Sequence, residues 1–190
     1  MKRTFALLAL LPTAGMAESV APWSVDTRIQ DVISAVGPNW NVNATFKAVL
    51  LRERDFAALY IYRGPFDLRP LAYAPHAAIT GEHWGAVPWL EFNEGGALLL
   101  HSENRAFGRN KWDSTLTIIE RDGRFIVSAF HLSGYDSLNP NDYFDCTIDM
   151  LAQTITLNDK PITPFPLPTE IHIQYWSEEM EDVCYTETRN

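Results

Sequence analysis

The sequence predicts a mainly β domain of antiparallel strands, a meander forming a sandwich, a partial barrel or a propeller-like sheet, with one N-terminal α-helix. Short apolar runs, several with strict apolar–polar alternation, recur along most of the chain. Between them lie 12 prolines and 10 glycines, which suit antiparallel connections better than parallel βαβ units. The clearest hairpin turn, Arg121-Asp122-Gly123, separates two such runs.

The first 17 residues have the layout of a cleavable secretory signal peptide. Lys2 and Arg3 form a basic region, residues 5–11 are mostly apolar, and Gly15-Met16-Ala17 is a small-x-small cleavage site. The apolar run is much shorter than the ~20 residues that cross a bilayer, so we expect no retained anchor. The sequence therefore predicts a signal peptide over residues 1–17 and a single domain over residues 18–190, located in the periplasm or outside the cell.

The segment after the signal peptide carries the predicted helix. Its apolar residues recur at steps of three and four, which is the period of an amphipathic helix: Val25, Ile29, Val32, Ile33 and Val36. Ser24 is a suitable N-cap, and Gly37-Pro38 is a typical helix end.

The predicted strands follow in order. Residues 46–62 form a hairpin around the polar link 52–55, and the runs PLAYAP, WLEF and ALLLHS come next. STLTIIE and RFIVSAFHL flank the turn at Asp122-Gly123. FDCTIDML and TITLNDKPI continue the pattern with a tight turn at Asn158-Asp159, and EIHIQYW is the last alternating run.

The charge balance argues against two classes of partner. The whole chain has a formal charge of −9, and without Lys2 and Arg3 it has 13 cations against 24 acids, a charge of −11. Such a surface repels phosphate backbones and anionic lipids, so we expect neither nucleic-acid binding nor membrane binding after signal cleavage.

The two cysteines predict a disulfide. Cys146 and Cys184 are the only cysteines in a chain expected to reach an oxidising compartment, and two cysteines allow one intramolecular pairing. Separated thiols with a redox or metal role are the alternative, but no Cys-x-x-Cys spacing supports that role.

Two polar segments should converge at one edge of the sheet. With a three-residue turn at residues 121–123, Thr117 faces Val127 and Asp113 faces His131. The segments 101–112 and 133–143 then lie side by side and form a candidate surface for a ligand or partner, whose residues are Asn104, Arg109, Trp112, Tyr135 and Asp136.

The same segments have a simpler, structural interpretation and an enzymatic one. Arg109 would link them through Asp136, while Gly108 supplies a turn and Asn104 satisfies backbone groups. Alternatively, the Asp113–His131 pair would act as the acid–base pair of a hydrolase, although no nucleophile motif such as G-x-S-x-G is present.

We expect no metal and no cofactor. Residues 136–145 contain several oxygen donors, but their spacing is irregular, Pro140 interrupts them, and the glycine of a calcium loop is missing. No phosphate-binding loop or dinucleotide fingerprint occurs.

The stretch LLLHSENRAFGRNKWDSTLTIIERDGRFIVSAF, followed by YDSLNP, DCTIDM and ITLNDKPI, resembles a group of uncharacterised exported proteins of Gram-negative bacteria. These share a Gly-Arg-Asn-x-Trp-like loop, a Tyr-Asp loop and a cysteine-containing strand. The resemblance covers residues 87–162, and in this chain the last turn is Asn158-Asp159 where relatives have Asn-Gly. It implies a β fold and a periplasmic setting, and it implies no activity.

Together these patterns favour a non-enzymatic periplasmic protein that binds a ligand or partner through the edge formed by residues 101–112 and 133–143. Its acidity would suit a basic envelope protein. The alternative is the hydrolase, and a structural envelope component without a discrete ligand also fits the sequence.

Overall fold

The computed structural model describes residues 29–36, 45–64, 66–81, 85–162, 167–177, 180 and 182–184. Strands hold 64% of them, in antiparallel sheets with no closed barrel, so the mainly β class is confirmed. The signal peptide predicted over residues 1–17 lies outside the described residues. Within the described part of the chain, no helix is long and apolar enough to cross a membrane.

The described strands form two antiparallel sheets. The smaller has the order β1-β2-β3-β4, and its strands are β1 (Ile29–Val36), β2 (Thr45–Glu53), β3 (Phe56–Arg63) and β4 (Ala72–Ile79). The larger has the order β11-β10-β9-β8-β7-β6-β5, and its strands are β5 (Trp89–Phe92), β6 (Leu98–Asn104), β7 (Asn110–Arg121), β8 (Arg124–Asp136), β9 (Asn139–Asp149), β10 (Thr154–Leu157) and β11 (Lys160–Pro161). A short strand β12 (Ile171–His172) pairs with β8 and leads into a 3₁₀ turn, Ile173–Tyr175.

The predicted helix is wrong in its described part. Residues 29–36 form strand β1, which pairs antiparallel with β2, and the preceding residues 24–28 lie outside the described residues. Four of the eight residues of β1 are valine or isoleucine, whose branched side chains favour extended backbone. Pairing with the hydrogen-bonding edge of β2 therefore overrides the helical period.

A single hydrophobic core joins the two sheets. Leu50, Leu59 and Ile61 of the smaller sheet and Leu100 and Phe130 of the larger sheet are all at most 2% exposed and belong to one cluster. In strands such as β6, alternate residues contribute to this core, so the opposite face of the sheet is free to carry other side chains.

The β7–β8 hairpin differs from its predicted register in two places. The turn has two residues instead of three: Asp122 and Gly123 both have positive φ, as a type I′ turn requires, so Arg121 pairs with Arg124. A β-bulge at Ser128 then adds one more residue on β8, since Ile118 pairs with Val127 but Thr117 pairs with Ala129. Asp113 consequently pairs with Ser133, and its predicted pairing with His131 is wrong.

The predicted loop at residues 133–143 is mostly strand. β8 continues to Asp136 and β9 begins at Asn139, so only Ser137 and Leu138 remain as the turn. Long strands that reach the edge of the sheet hold nearby side chains in a fixed register, which a loop would not do.

The predicted disulfide is confirmed. Cys146 on β9 and Cys184 near the end of the described chain are bonded, with Cα atoms 5.7 Å apart, and both residues are 0% exposed. The bond fixes the segment that follows the 3₁₀ turn to the larger sheet.

Candidate functional site

The two predicted segments do converge. Residues 105–109 are bends between β6 and β7, and they lie beside the β8–β9 turn, where the Ser137 amide donates to the Arg109 carbonyl at 3.0 Å. Asn110 pairs with Asp136 in the sheet itself. The edge predicted from the hairpin pattern therefore exists, although its register differs.

Arg109 links the two segments through Asp136, as the simpler interpretation predicts. The Arg109 Nε donates to both carboxylate oxygens at 2.6 Å, and the guanidinium Nη2 also contacts Oδ2. The Leu138 amide donates to Oδ1 at 2.9 Å, so Asp136 also closes the β8–β9 turn. The Arg109 guanidinium and the Asp136 carboxylate therefore neutralise each other's charge.

This ion pair predicts a pH dependence. The Arg109 guanidinium holds the pKa of the Asp136 carboxyl below its ordinary value, and the Leu138 amide adds to the effect. Because the folded-state pKa is the lower one, the pair stabilises the fold above the ordinary carboxyl pKa, and this contribution is lost as pH falls through the lowered value. A carbon NMR titration of the carboxyl should show the low pKa, and Arg109→Gln should raise it.

Arg105→Gln is the matched control for that titration, because Arg105 bonds Glu103 and not Asp136. It should leave the Asp136 titration unchanged. An Asp136 pKa that is the same in Arg109→Gln and in the unmodified protein would contradict the assignment of the link.

Asn104 organises the backbone of the bends. It is 7% exposed, its Nδ2 donates to the carbonyls of Phe107 at 2.9 Å and Asn110 at 3.3 Å, and its Oδ1 accepts from the Phe107 amide at 3.0 Å. Gly108 takes the positive φ of +70° that lets the chain turn back. Asn104 thus has a structural role and does not present its polar atoms to a ligand.

Trp112 lies in β7 and not in a loop. It pairs with Asn104 on one side and with Gly134 on the other, and it is partly buried. A Cβ on Gly134 would come within 2.6 Å of the Phe144 ring and 2.9 Å of the Lys111 carbonyl, so only glycine fits there. Trp112 and Phe144 therefore flank a position at which the strands leave no room for a side chain.

Tyr135 is a predicted site residue with an exposed aromatic side chain. It is 47% exposed and pairs with Lys111 on β7 and with Tyr143 on β9, which is 61% exposed. Leu138 at the adjacent turn is 77% exposed. We call these four residues, Lys111, Tyr135, Leu138 and Tyr143, the aromatic rim.

His131 has a different carboxylate partner from the predicted one. Its Nε2 lies 3.0 Å from Asp145 Oδ2 on β9, whereas Asp113 accepts a hydrogen bond of 2.8 Å from the Ser133 hydroxyl. The turn and the bulge each shift the register by one, so both residues stay on the same face but are no longer opposite each other.

The Ser133 hydroxyl is not placed as a nucleophile for His131. A nucleophilic hydroxyl must donate its proton to the base. The hydroxyl of Ser133, two residues further along β8, donates to Asp113 instead. Among the residues that the structure describes, no group of three or more His, Cys, Asp or Glu side chains could hold a metal ion.

A second histidine lies on the same face. His101 Nδ1 is 2.9 Å from the Thr115 hydroxyl, and the ring stacks on Trp89 with centroids 4.8 Å apart. Burial lowers the pKa of His101, against the opposing effect of Glu91, whose carboxylate is 3.5 Å from Nε2. The neutral imidazole is therefore favoured.

Sequence reasoning missed Tyr143, Asp145 and His101 as members of this surface. The signal that could have found them is the alternation of β6 and β9, which puts every second residue on the face away from the core. Using it requires the correct register, because Asp145 reaches His131 from a diagonal position.

Comparisons with known proteins assign no family to the chain. No protein-family model, no curated protein and no solved structure matches it. The resemblance to exported proteins of Gram-negative bacteria stays a prediction.

Proposed function

We propose that this is a non-enzymatic protein of the bacterial periplasm that binds another protein through the aromatic rim. The observation that carries the proposal is the exposed cross-strand pair Tyr135–Tyr143 beside an exposed leucine. Tyrosine supplies a large contact area at a low entropic cost, and it is enriched at protein interfaces.

The support behind the rim also favours binding. Arg109–Asp136 closes the turn, and Asn104 holds the neighbouring bends. Side chains on long paired strands with such a supporting shell are held in place before a partner arrives, which lowers the entropy lost on binding.

The periplasmic setting is part of the proposal. The layout of residues 1–17 is that of a signal peptide. A buried disulfide is typical of proteins that fold in an oxidising compartment.

The test is recovery of a cross-linked partner from solubilised envelope extract by the tagged protein. We expect Tyr135→Thr combined with Tyr143→Thr to abolish recovery of the bands seen with the unmodified protein, since threonine keeps the strand propensity but removes the rings. Tyr175→Thr is the matched control, because Tyr175 is 72% exposed but belongs to the 3₁₀ turn. Equal recovery by the rim variant and the control would refute the proposal.

A further inference from the structure

The larger sheet has an outer face, which is turned away from the core. The aromatic rim lies on this face, and a second row of residues lies beside it along the strands. One row crosses four strands by direct pairing: Glu103 with Asp113, Asp113 with Ser133, and Ser133 with Asp145. We call these four residues the acidic row. Neighbouring strands are about 4.8 Å apart, so three carboxylates lie along roughly 15 Å.

The acidic row is partly exposed to solvent. All four residues are of intermediate burial, and Asp145 has a side-chain exposure of 46%. The sheet face is therefore a surface and not part of the core, which suits a partner that lies across it.

The three carboxylates of the row have different partners. Arg105 bonds Glu103 at 2.8 Å. Asp113 has a neutral hydroxyl as its partner, and Asp145 has the His131 imidazole. A hydroxyl leaves the negative charge of a carboxylate in place, so the row offers negative charge as well as acceptor oxygens.

The aromatic rim is the next row on the same face. Lys111, Tyr135 and Tyr143 are each two residues along the strand from Asp113, Ser133 and Asp145, which places the two rows about 7 Å apart. Guanidinium groups stack on aromatic rings and pair with carboxylates through two parallel hydrogen bonds. Exposed tyrosines beside carboxylates can therefore bind arginine in both ways, by stacking on the guanidinium and by hydrogen bonding to it.

We propose that the acidic row and the aromatic rim form one docking face for a basic, arginine-containing polypeptide segment. This rests on the proposed function and names the chemistry of its partner. Asp113 and Asp145 pair with the cations of the segment, and Tyr135 and Tyr143 stack on them.

Other occupants fit this face less well. In a symmetric dimer of this chain through the same face, two acidic rows would meet and repel each other. Nucleic acid and anionic lipid are repelled by the row and by the net charge of −9. The acidic row and the net negative charge both attract a basic segment, and the net charge also raises the rate at which the segment associates.

The experiment measures binding of a fluorescein-labelled oligoarginine peptide by fluorescence anisotropy at an ionic strength of about 0.15 M. Asp113→Asn combined with Asp145→Asn removes two charges and retains the shape of both side chains. We expect it to weaken binding about tenfold, the effect of losing two partly exposed ion pairs.

The matched control is Asp67→Asn combined with Asp122→Asn. Both aspartates are exposed, Asp67 between β3 and β4 and Asp122 in the β7–β8 turn, so the net charge changes equally but away from the face. The control should change binding by less than about twofold. Equal weakening by both pairs would show general charge attraction and would overturn the proposal, as would an absence of peptide binding.

The two proposals fail separately. If the aspartate variant binds oligoarginine as the control does, while the tyrosine variant still loses its envelope partner, the docking chemistry is wrong and the proposed function stands. If the aspartate variant loses the peptide and the tyrosine variant keeps its envelope partner, the proposed function falls. Amide NMR shifts on peptide addition must locate to Asp113, Ser133 and Asp145, and shifts confined to other residues count against the docking face.

Discussion

Replacing Cys146 and Cys184 with alanine should lower the free energy of unfolding by about 4 kcal/mol, the chain-entropy value for a crosslink between residues 38 apart. The bond links β9 to the segment that contains Val183, and that segment's apolar residues belong to the main core. Without the crosslink, the unfolded chain gains conformations that the disulfide excludes. Urea denaturation with linear extrapolation measures the loss.

Reduction of the unmodified protein provides the control for that variant. A thiol reductant should destabilise the unmodified protein by a similar amount and should leave the double alanine variant unchanged. If the alanine variant and the reduced protein each lose less than about 1 kcal/mol in free energy of unfolding, the segment after the 3₁₀ turn contributes little to the cooperative fold.

Phe130→Ala should destabilise the protein by about 3–5 kcal/mol, because it removes a large side chain from a packed core. Phe130 is 2% exposed, and its ring centroid lies 5.2 Å from that of Trp176, which is 5% exposed. The substitution leaves a cavity between β8 and the segment after β12. Thermal or urea unfolding measures the change, and the near-ultraviolet circular dichroism of the tryptophan should weaken.

Phe66→Ala makes the same chemical change at a surface position. Phe66 is 91% exposed, so the variant should stay within about 0.5 kcal/mol of the unmodified protein. Similar stabilities for the two variants would contradict the placement of Phe130 in the core.

The parts of the fold that follow from local chemistry could be predicted. The alternation of β6 to β9 identifies their inward and outward faces, and Asn158-Asp159 forms its tight turn with positive φ at both residues. The Arg109–Asp136 link also followed, because both segments reach the same edge whatever the exact register.

The parts that depend on tertiary context could not be predicted. The bulge at Ser128 has no local signature, yet together with the two-residue turn it moves the partner of Asp113 from His131 to Ser133. The apolar period at residues 29–36 fits a helix, but pairing with β2 decides the outcome. Tyr143 was placed in a loop, and only the long β8–β9 hairpin brings it opposite Tyr135.

The proposed function requires that the aromatic rim contact a partner protein in the cell. Site-specific photo-crosslinking tests it most directly, with p-benzoylphenylalanine incorporated in the living host in place of Tyr143, or in place of Tyr175 as the comparison. Both tyrosines are well exposed, at 61% and 72%, so both probes can reach a neighbouring molecule. We predict a discrete crosslinked species from position 143 and none from position 175, and the same pattern from both positions would contradict the claim.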